Sequence, residues 1–236
     1  MIYRTKDINF YCFNHGNKEY KMEMPNQTRI MLGKEDNTGD NISHLNYCFG
    51  QTTGLYWVWK NIENHIIGLN TYRLYWDENE LDAINFDENT LVIPRAVEVN
   101  GAIINPYHNN YNILTHFIHC HGEVPLSLLY GLCNLHTICI TSNMIDELKT
   151  QTKIHPFNMF IASKETLNVI CNILFAVLNK YYENYQFLFS AIQSYTGQNR
   201  ILDFIAERIL HIIYTNASHF LPGIKVKEVS IINLPH

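Results

Sequence analysis

Residues 52–73 read TTGLYWVWKNIENHIIGLNTYR, and the period of the apolar residues changes part-way along. From Thr52 to Asn61, Leu55, Tyr56 and Trp59 recur at helical spacing, with Thr52 or Thr53 placed to cap the first turn. His65–Leu69 is then a short apolar run, which predicts a buried strand, and the polar cluster Asn70–Arg73 closes it. A helix that feeds directly into a buried strand is half of an α/β unit.

Reading outward, the same alternation continues on both sides. Upstream, Ile8–Phe13 (INFYCF) is β-prone and ends in the turn residues Asn14–His15–Gly16, whereas Met24–Asp40 is polar and reads as a long loop. Downstream, Thr90–Pro94 and Phe157–Ala162 read as short strands. Ser163 caps a helix with the apolar stripe Leu167, Ile170, Cys171, Leu174, Leu178 and Tyr181. Arg200–Thr215 is the clearest helix, its isoleucines on one face, and Lys225–Leu234 reads as a closing strand. No periodicity is legible between Val97 and Gln151. These features predict an α/β fold with a mostly parallel central sheet. They fit one continuous domain over residues 1–236, with a less regular insert around 97–151.

Composition narrows the function classes. The 236 residues are 47% apolar and 17% charged, which excludes wholesale disorder. With 17 Lys and Arg against 22 Asp and Glu, the net charge is −5 and the cations are scattered, so nucleic acid is not an expected partner. The six cysteines form no CxxC pair and read as reduced thiols of a cytoplasmic protein. The first residues, MIYRTKDINF, lack the apolar core of a secretory signal, and the run Val169–Leu178 is too short to span a bilayer.

Layered α/β folds bind ligands beyond the carboxyl ends of their strands, which directs attention to Asn14–His15, to Asn70–Arg73 with Tyr72, and to Asn158. A guanidinium after a buried strand binds a diphosphate bidentately; the competing reading pairs Arg73 with Asp77 or Glu78 at the surface. Asp36–Ser43 is dense in hydrogen-bonding groups, and Asp40 and Asn41 there suit a sugar or ribose, against the plainer reading of an Asx turn. His116, His119 and His121 around Cys120, with His108 nearby, lack the spacing of a zinc site. On the helix Arg200–Thr215, Asp203, Glu207 and His211 share one face. Two carboxylates so placed raise the proton affinity of one, as a general base requires; the alternative is a solvated polar face. No GxSxG, Walker loop, GxGxxG or HExxH occurs.

The stretch DNTGDNISHLNYCFGQTTGLYWVWKN, residues 36–61, resembles the signature of a bacterial capsular and lipopolysaccharide glycosyltransferase family catalogued as domain-of-unknown-function family 4422, which includes galactofuranosyltransferase-like members. Ile67–Tyr75, Asn14–His15, Phe157–Ile161 and Phe204–Ile209 are similar to further blocks of that family, in the same order. The sequence departs from the family pattern at Gln51, Thr71 and Leu74, where the family has Glu, His and a second Arg.

The resemblance implies a GT-A-like, Rossmann-type fold that binds a nucleotide sugar. It implies transfer of a hexosyl unit, galactosyl or galactofuranosyl, from a nucleoside-diphosphate donor such as a UDP-sugar to a glycan or lipid-linked glycan acceptor. The alternative is a degenerate glycan- or partner-binding module. Arg73 would hold the diphosphate, with His15, Asp40, Asn41, Tyr72 and Asn158 lining the donor pocket and Glu207 acting as base. Where such folds carry a metal-binding Asp-x-Asp, this chain has Thr71–Tyr72–Arg73, so no metal and no other cofactor is expected. The expected location is cytoplasmic, with peripheral contact at the inner face of the cytoplasmic membrane.

Overall fold

The computed structural model of the chain describes residues 2–15, 18, 22–99, 111–135, 138–197 and 199–233. Its strands are β1 (Asn9–Asn14), β2 (Gln27–Met31), β3 (Ile66–Thr71), β4 (Leu74–Trp76), β5 (Thr90–Pro94), β6 (Val97–Glu98), β7 (Lys153–Ile154), β8 (Ile161–Ser163), β9 (Lys225–Val229) and β10 (Ile231–Asn233). Its α-helices are α1 (Asn46–Phe49), α2 (Thr52–Asn61), α3 (Glu78–Asp82), α4 (Ile113–His121), α5 (Val124–Asn134), α6 (Ser142–Glu147), α7 (Lys164–Tyr185), α8 (Phe189–Thr196), α9 (Ile201–Thr215) and α10 (Ala217–Phe220).

The central sheet has six strands in the order β2-β1-β3-β8-β5-β9. β1 runs parallel to both β2 and β3, and β5 runs parallel to β9; β8 is antiparallel to its two neighbours. The expected α/β fold with a mostly parallel sheet is therefore observed. From β1 the chain steps to β2 on one side and next enters the sheet as β3 on the other, so the order reverses at β1–β3. Crevices open at such a reversal.

Alternating side chains feed a core on each face of the sheet, as a period of two requires. Tyr11, Phe13, Ile67, Leu69, Leu91 and Ile93 face the larger core with α2, α5, α7 and α9. Phe10, Ile66, Val92 and Ile161 face the smaller one, filled by Tyr75, Trp76, Leu81 and Phe86. α2 comes so close to β1 that a Cβ on Gly54 would lie 2.6 Å from the Phe13 ring. Ser163 caps α7, its Oγ accepting from the Thr166 N–H at 3.2 Å, and the expected stripe from Leu167 to Tyr181 is buried.

The structure differs from the sequence reading in several elements. Met24–Asp40 is not all loop, because β2 pairs with the edge of β1. The strand expected at Phe157–Ala162 is shorter and later: Phe157 sits at φ +69°, which turns the chain before it enters the sheet at Ile161. The strand expected over Lys225–Leu234, whose last residue lies outside the described ones, is two strands in two sheets over Lys225–Asn233, divided at Ser230, whose N–H and Oγ both donate to Glu80 at 2.9 Å. Between 97 and 151 the described residues include three helices, α4–α6, and the segment leaves and returns through the antiparallel pair β6–β7. No helix of the described residues is long and apolar enough to cross a membrane.

Candidate functional site

β1 and β3 end side by side, Phe13 opposite Thr71, and the Tyr72 N–H continues the ladder by donating to the Phe13 carbonyl at 3.0 Å. Parallel pairing puts the residues after each strand on the same side of the sheet. His15 comes directly after β1 and Tyr72–Arg73 directly after β3, and both reach a cleft of about 430 Å³. The opposite wall is the N-terminal half of α9, which presents Arg200, Asp203, Phe204 and Glu207, with Phe157–Asn158 beside it.

Of the residues expected in the site, the structure brings His15, Tyr72, Arg73, Asn158 and Glu207 together. Asp40 and Asn41 stand outside this cleft. Asp40 accepts from the Tyr56 hydroxyl at 3.1 Å, and Asn41 donates to the carbonyls of Asn37 and Gly39 and accepts from Ser43. Their hydrogen bonds are those of a self-folded loop packed on α2, as the Asx-turn reading has it. Asp77 does not compete for the cleft either: its Oδ1 caps α3, accepting from the N–H groups of Asn79 and Glu80 at 2.9 and 3.3 Å.

The polar face of α9 is not a solvated one. Asp203, Arg208 and His211 are all buried. Burial pushes the Asp203 carboxyl up to about 6, against the pull of Arg200 and of the Gln51 and Thr52 backbone N–H groups; Glu207 adds to the rise. The Asp203 Oδ1 accepts from Asn158 Nδ2 at 2.8 Å. That bond orients the Asn158 amide and leaves its buried Oδ1 without a hydrogen bond among the described residues. Gly50 packs directly on Asp203, at φ +53° and with no room for a Cβ, which would sit 2.5 Å from Oδ2. Asp203 is thus a clip between α9, the start of α2 and the Asn158 segment.

Glu207 is half committed. Its Oε1 accepts from the Phe157 N–H at 2.7 Å, and its Oε2 is ion-paired with the buried Arg208. Each carboxylate oxygen has a second lone pair, so a further donor can be accepted. Arg208 is held in turn by His116 Nδ1 at 3.0 Å. The other histidines of that group part company: His119 Nδ1 lies 3.3 Å from the Tyr111 hydroxyl and His121 stacks on Phe204, while His108 lies outside the described residues. Among the described residues no three His, Cys, Asp or Glu are placed to hold a metal ion. Burial, and then the charge of Arg200, pushes the His15 imidazole down to about 4, so it is neutral near pH 7.

The sequence reading places neither Arg200 nor Phe204 in the site. The signal was present, since 200, 203, 204 and 207 have the i, i+3, i+4, i+7 spacing of one helix face.

Residues 15–218 match the family model described as "Domain of unknown function (DUF4422)". The chain belongs to this family. Among solved structures it is similar to the apo form of WbbM, a bifunctional glycosyltransferase, with a TM-score of 0.66 and 18% identity over 97% of this chain and 45% of that one. The DUF4422 chain thus spans less than half of that neighbour, and what the two share is the fold. No curated protein matches the sequence. In this DUF4422 chain the stretch 36–61 is mostly scaffold: Asp36 accepts from the Gly33 N–H, Trp57 donates to the Thr38 carbonyl, Asn61 ties to Asp40, and Gln51 alone of the stretch lines the cleft.

Proposed function

We propose that the chain is a glycosyltransferase that moves a hexosyl unit, galactosyl or galactofuranosyl, from a UDP-sugar or related donor to a capsule- or lipopolysaccharide-type acceptor. The observation that carries this reading is convergence: His15, Tyr72, Arg73, Asn158 and Glu207 come from four separate stretches and meet in one cleft where the strand order reverses.

In this reading Arg73 holds the donor diphosphate and stabilises the charge that collects there as the sugar–oxygen bond breaks. The Asn158 Oδ1, already oriented by Asp203, accepts from a sugar or ribose hydroxyl. Glu207 takes the proton of the acceptor hydroxyl as its oxygen attacks the anomeric carbon, with inversion; the bonding pair leaves with the diphosphate. No divalent cation is needed, because a fixed guanidinium supplies the positive charge. The acceptor is lipid-linked and meets the enzyme at the inner face of the cytoplasmic membrane.

A second reading is favoured by one observation: Gln51, Thr71 and Leu74, the departures from the family pattern, all line this cleft. That is the place where loss of chemistry would show, and it fits a degenerate glycan-binding module.

Thermal unfolding with UDP and a panel of nucleotide sugars, with manganese and after chelation, tests the donor site. A ligand at a hundred times its Kd stabilises the fold by about 2.7 kcal/mol. A shift that survives chelation supports a metal-independent donor site; no shift with any donor favours the binding module.

A further inference from the structure

We propose that Arg200 is a second cation of the cleft, facing Arg73 and gripping the same diphosphate from the α9 side. This rests on the donor site proposed above and extends it to a residue that the sequence reading does not place there.

Arg200 stands at the N-terminal edge of α9, with its side chain 46% exposed. Its carbonyl accepts from the Phe204 N–H at 3.4 Å, and among the described residues its side chain makes no hydrogen bond. Its contacts are a long ion pair, 3.8 Å from Nη1 to Asp203 Oδ2, and the Phe204 ring 5.7 Å from its guanidinium carbon. A guanidinium carries five N–H donors in a fixed fork, and among the described residues none of them is spent on a hydrogen bond. Both of its neighbours line the cleft with it.

The local charge balance favours an anion. Glu207 is neutralised by Arg208, which lies behind the wall. The cleft lining also carries Arg73 and Arg200, together with Asp203, whose carboxyl burial draws toward its neutral form. Two arginines thus line one cleft on a chain whose net charge is −5. His15, in the same cleft, is kept neutral by burial and then by the charge of Arg200. Beside them, the unpartnered Asn158 Oδ1 calls for a hydroxyl donor. Paired guanidiniums next to a hydroxyl acceptor suit a diphosphate ester of a sugar.

The test is calorimetric titration of the whole chain, wild type and the variants Arg200→Ala, Arg200→Lys and Arg73→Ala, with UDP, inorganic pyrophosphate and uridine. Arg200→Ala is expected to weaken UDP and pyrophosphate about ten- to hundredfold, the range of a lost charge-assisted bond, and to leave uridine unchanged. Arg200→Lys should recover part of the loss. Because the Arg200 side chain is exposed and donates no hydrogen bond among the described residues, only a small change in Tm is expected for the two Arg200 variants. Wild-type affinity for UDP in Arg200→Ala, alongside a loss in Arg73→Ala, overturns the role of Arg200 and leaves the donor site standing. A wild type that binds neither UDP nor pyrophosphate overturns the donor site itself.

Discussion

Asn158 Nδ2 donates to Asp203 Oδ1 at 2.8 Å and to the Asp203 backbone carbonyl at 3.2 Å, which ties the turn before β8 to the first turn of α9. The pair does structural and site work together: it satisfies a buried carboxylate and sets which atom of the Asn158 amide is left to accept. Asn158→Leu removes both donors and leaves Asp203 short of partners. It is expected to cost about 1.5–3 kcal/mol, measured by urea unfolding. A loss below about 0.5 kcal/mol would show that water replaces the amide.

Gly50 is expected to be intolerant. Its φ of +53° with ψ of −129° is a glycine conformation, and an added Cβ would press on Asp203 Oδ2. Gly50→Ala should destabilise the fold by about 2 kcal/mol and, by displacing Asp203, weaken nucleotide binding as well. An alanine variant with unaltered stability and binding would mean that the loop at the start of α2 gives way freely.

Arg208 and Glu207 form a pair with one partner fully inside, where removing a single member leaves an uncompensated charge. Arg208→Met is expected to cost about 3 kcal/mol. The double variant Arg208→Met, Glu207→Gln should lose less than the two single variants added together, since it deletes both charges. Additive losses would show that the ion pair carries no coupling.

Stability should fall on acidification from pH 6.5. His15 and His116 are pushed down to about 4, and His121 and His211 to about 3, in each case mainly by burial. Below pH 6.5 the unfolded chain binds protons that the folded chain refuses, so stability drops with pH until the folded values are reached. Each such histidine contributes about 1.4 kcal/mol per pH unit in that window. Asp203 works in the opposite sense: its folded value is raised, so the folded chain takes up a proton first and gains stability below about pH 6. Four histidines outweigh one carboxyl. Urea melts at pH 7, 6 and 5 should show the decline, and Asp203→Asn should steepen it; a flat profile would contradict neutral burial of these rings.

The parts of the fold legible in the sequence are those whose side chains meet a core on a regular period. β1, β3, β5, α7 and α9 all have this property, and each is found near its expected place. β2 is an edge strand in which only Ile30 is buried, so Gln27–Met31 carries no apolar alternation to read. The split at Ser230 depends on Glu80, far away in sequence, and no local signal announces it. Strand-end logic points to His15, Tyr72 and Arg73, which parallel pairing of β1 and β3 puts at one end of the sheet; Asn158 reaches that end because β8, which it precedes, runs antiparallel. Asp40 and Asn41 look like ligand residues for the same reason that they make a stable loop: short polar side chains reach nearby backbone. The burial of Asp203 and His211 was hidden because α9 packs on several sides, which an amphipathic pattern does not reveal.

Turnover tests the central claim most directly. The wild-type chain and Glu207→Gln are incubated with a panel of nucleotide sugars and a lipid-linked glycan fraction, and released nucleoside diphosphate and extended glycan are quantified, with Tm confirming that both are folded. The wild type should release nucleoside diphosphate and extend the glycan with one donor, also after chelation, and Glu207→Gln should be slower by about a hundredfold or more. Full turnover in Glu207→Gln would contradict the base, and a wild type inert toward every donor would contradict the glycosyltransferase assignment.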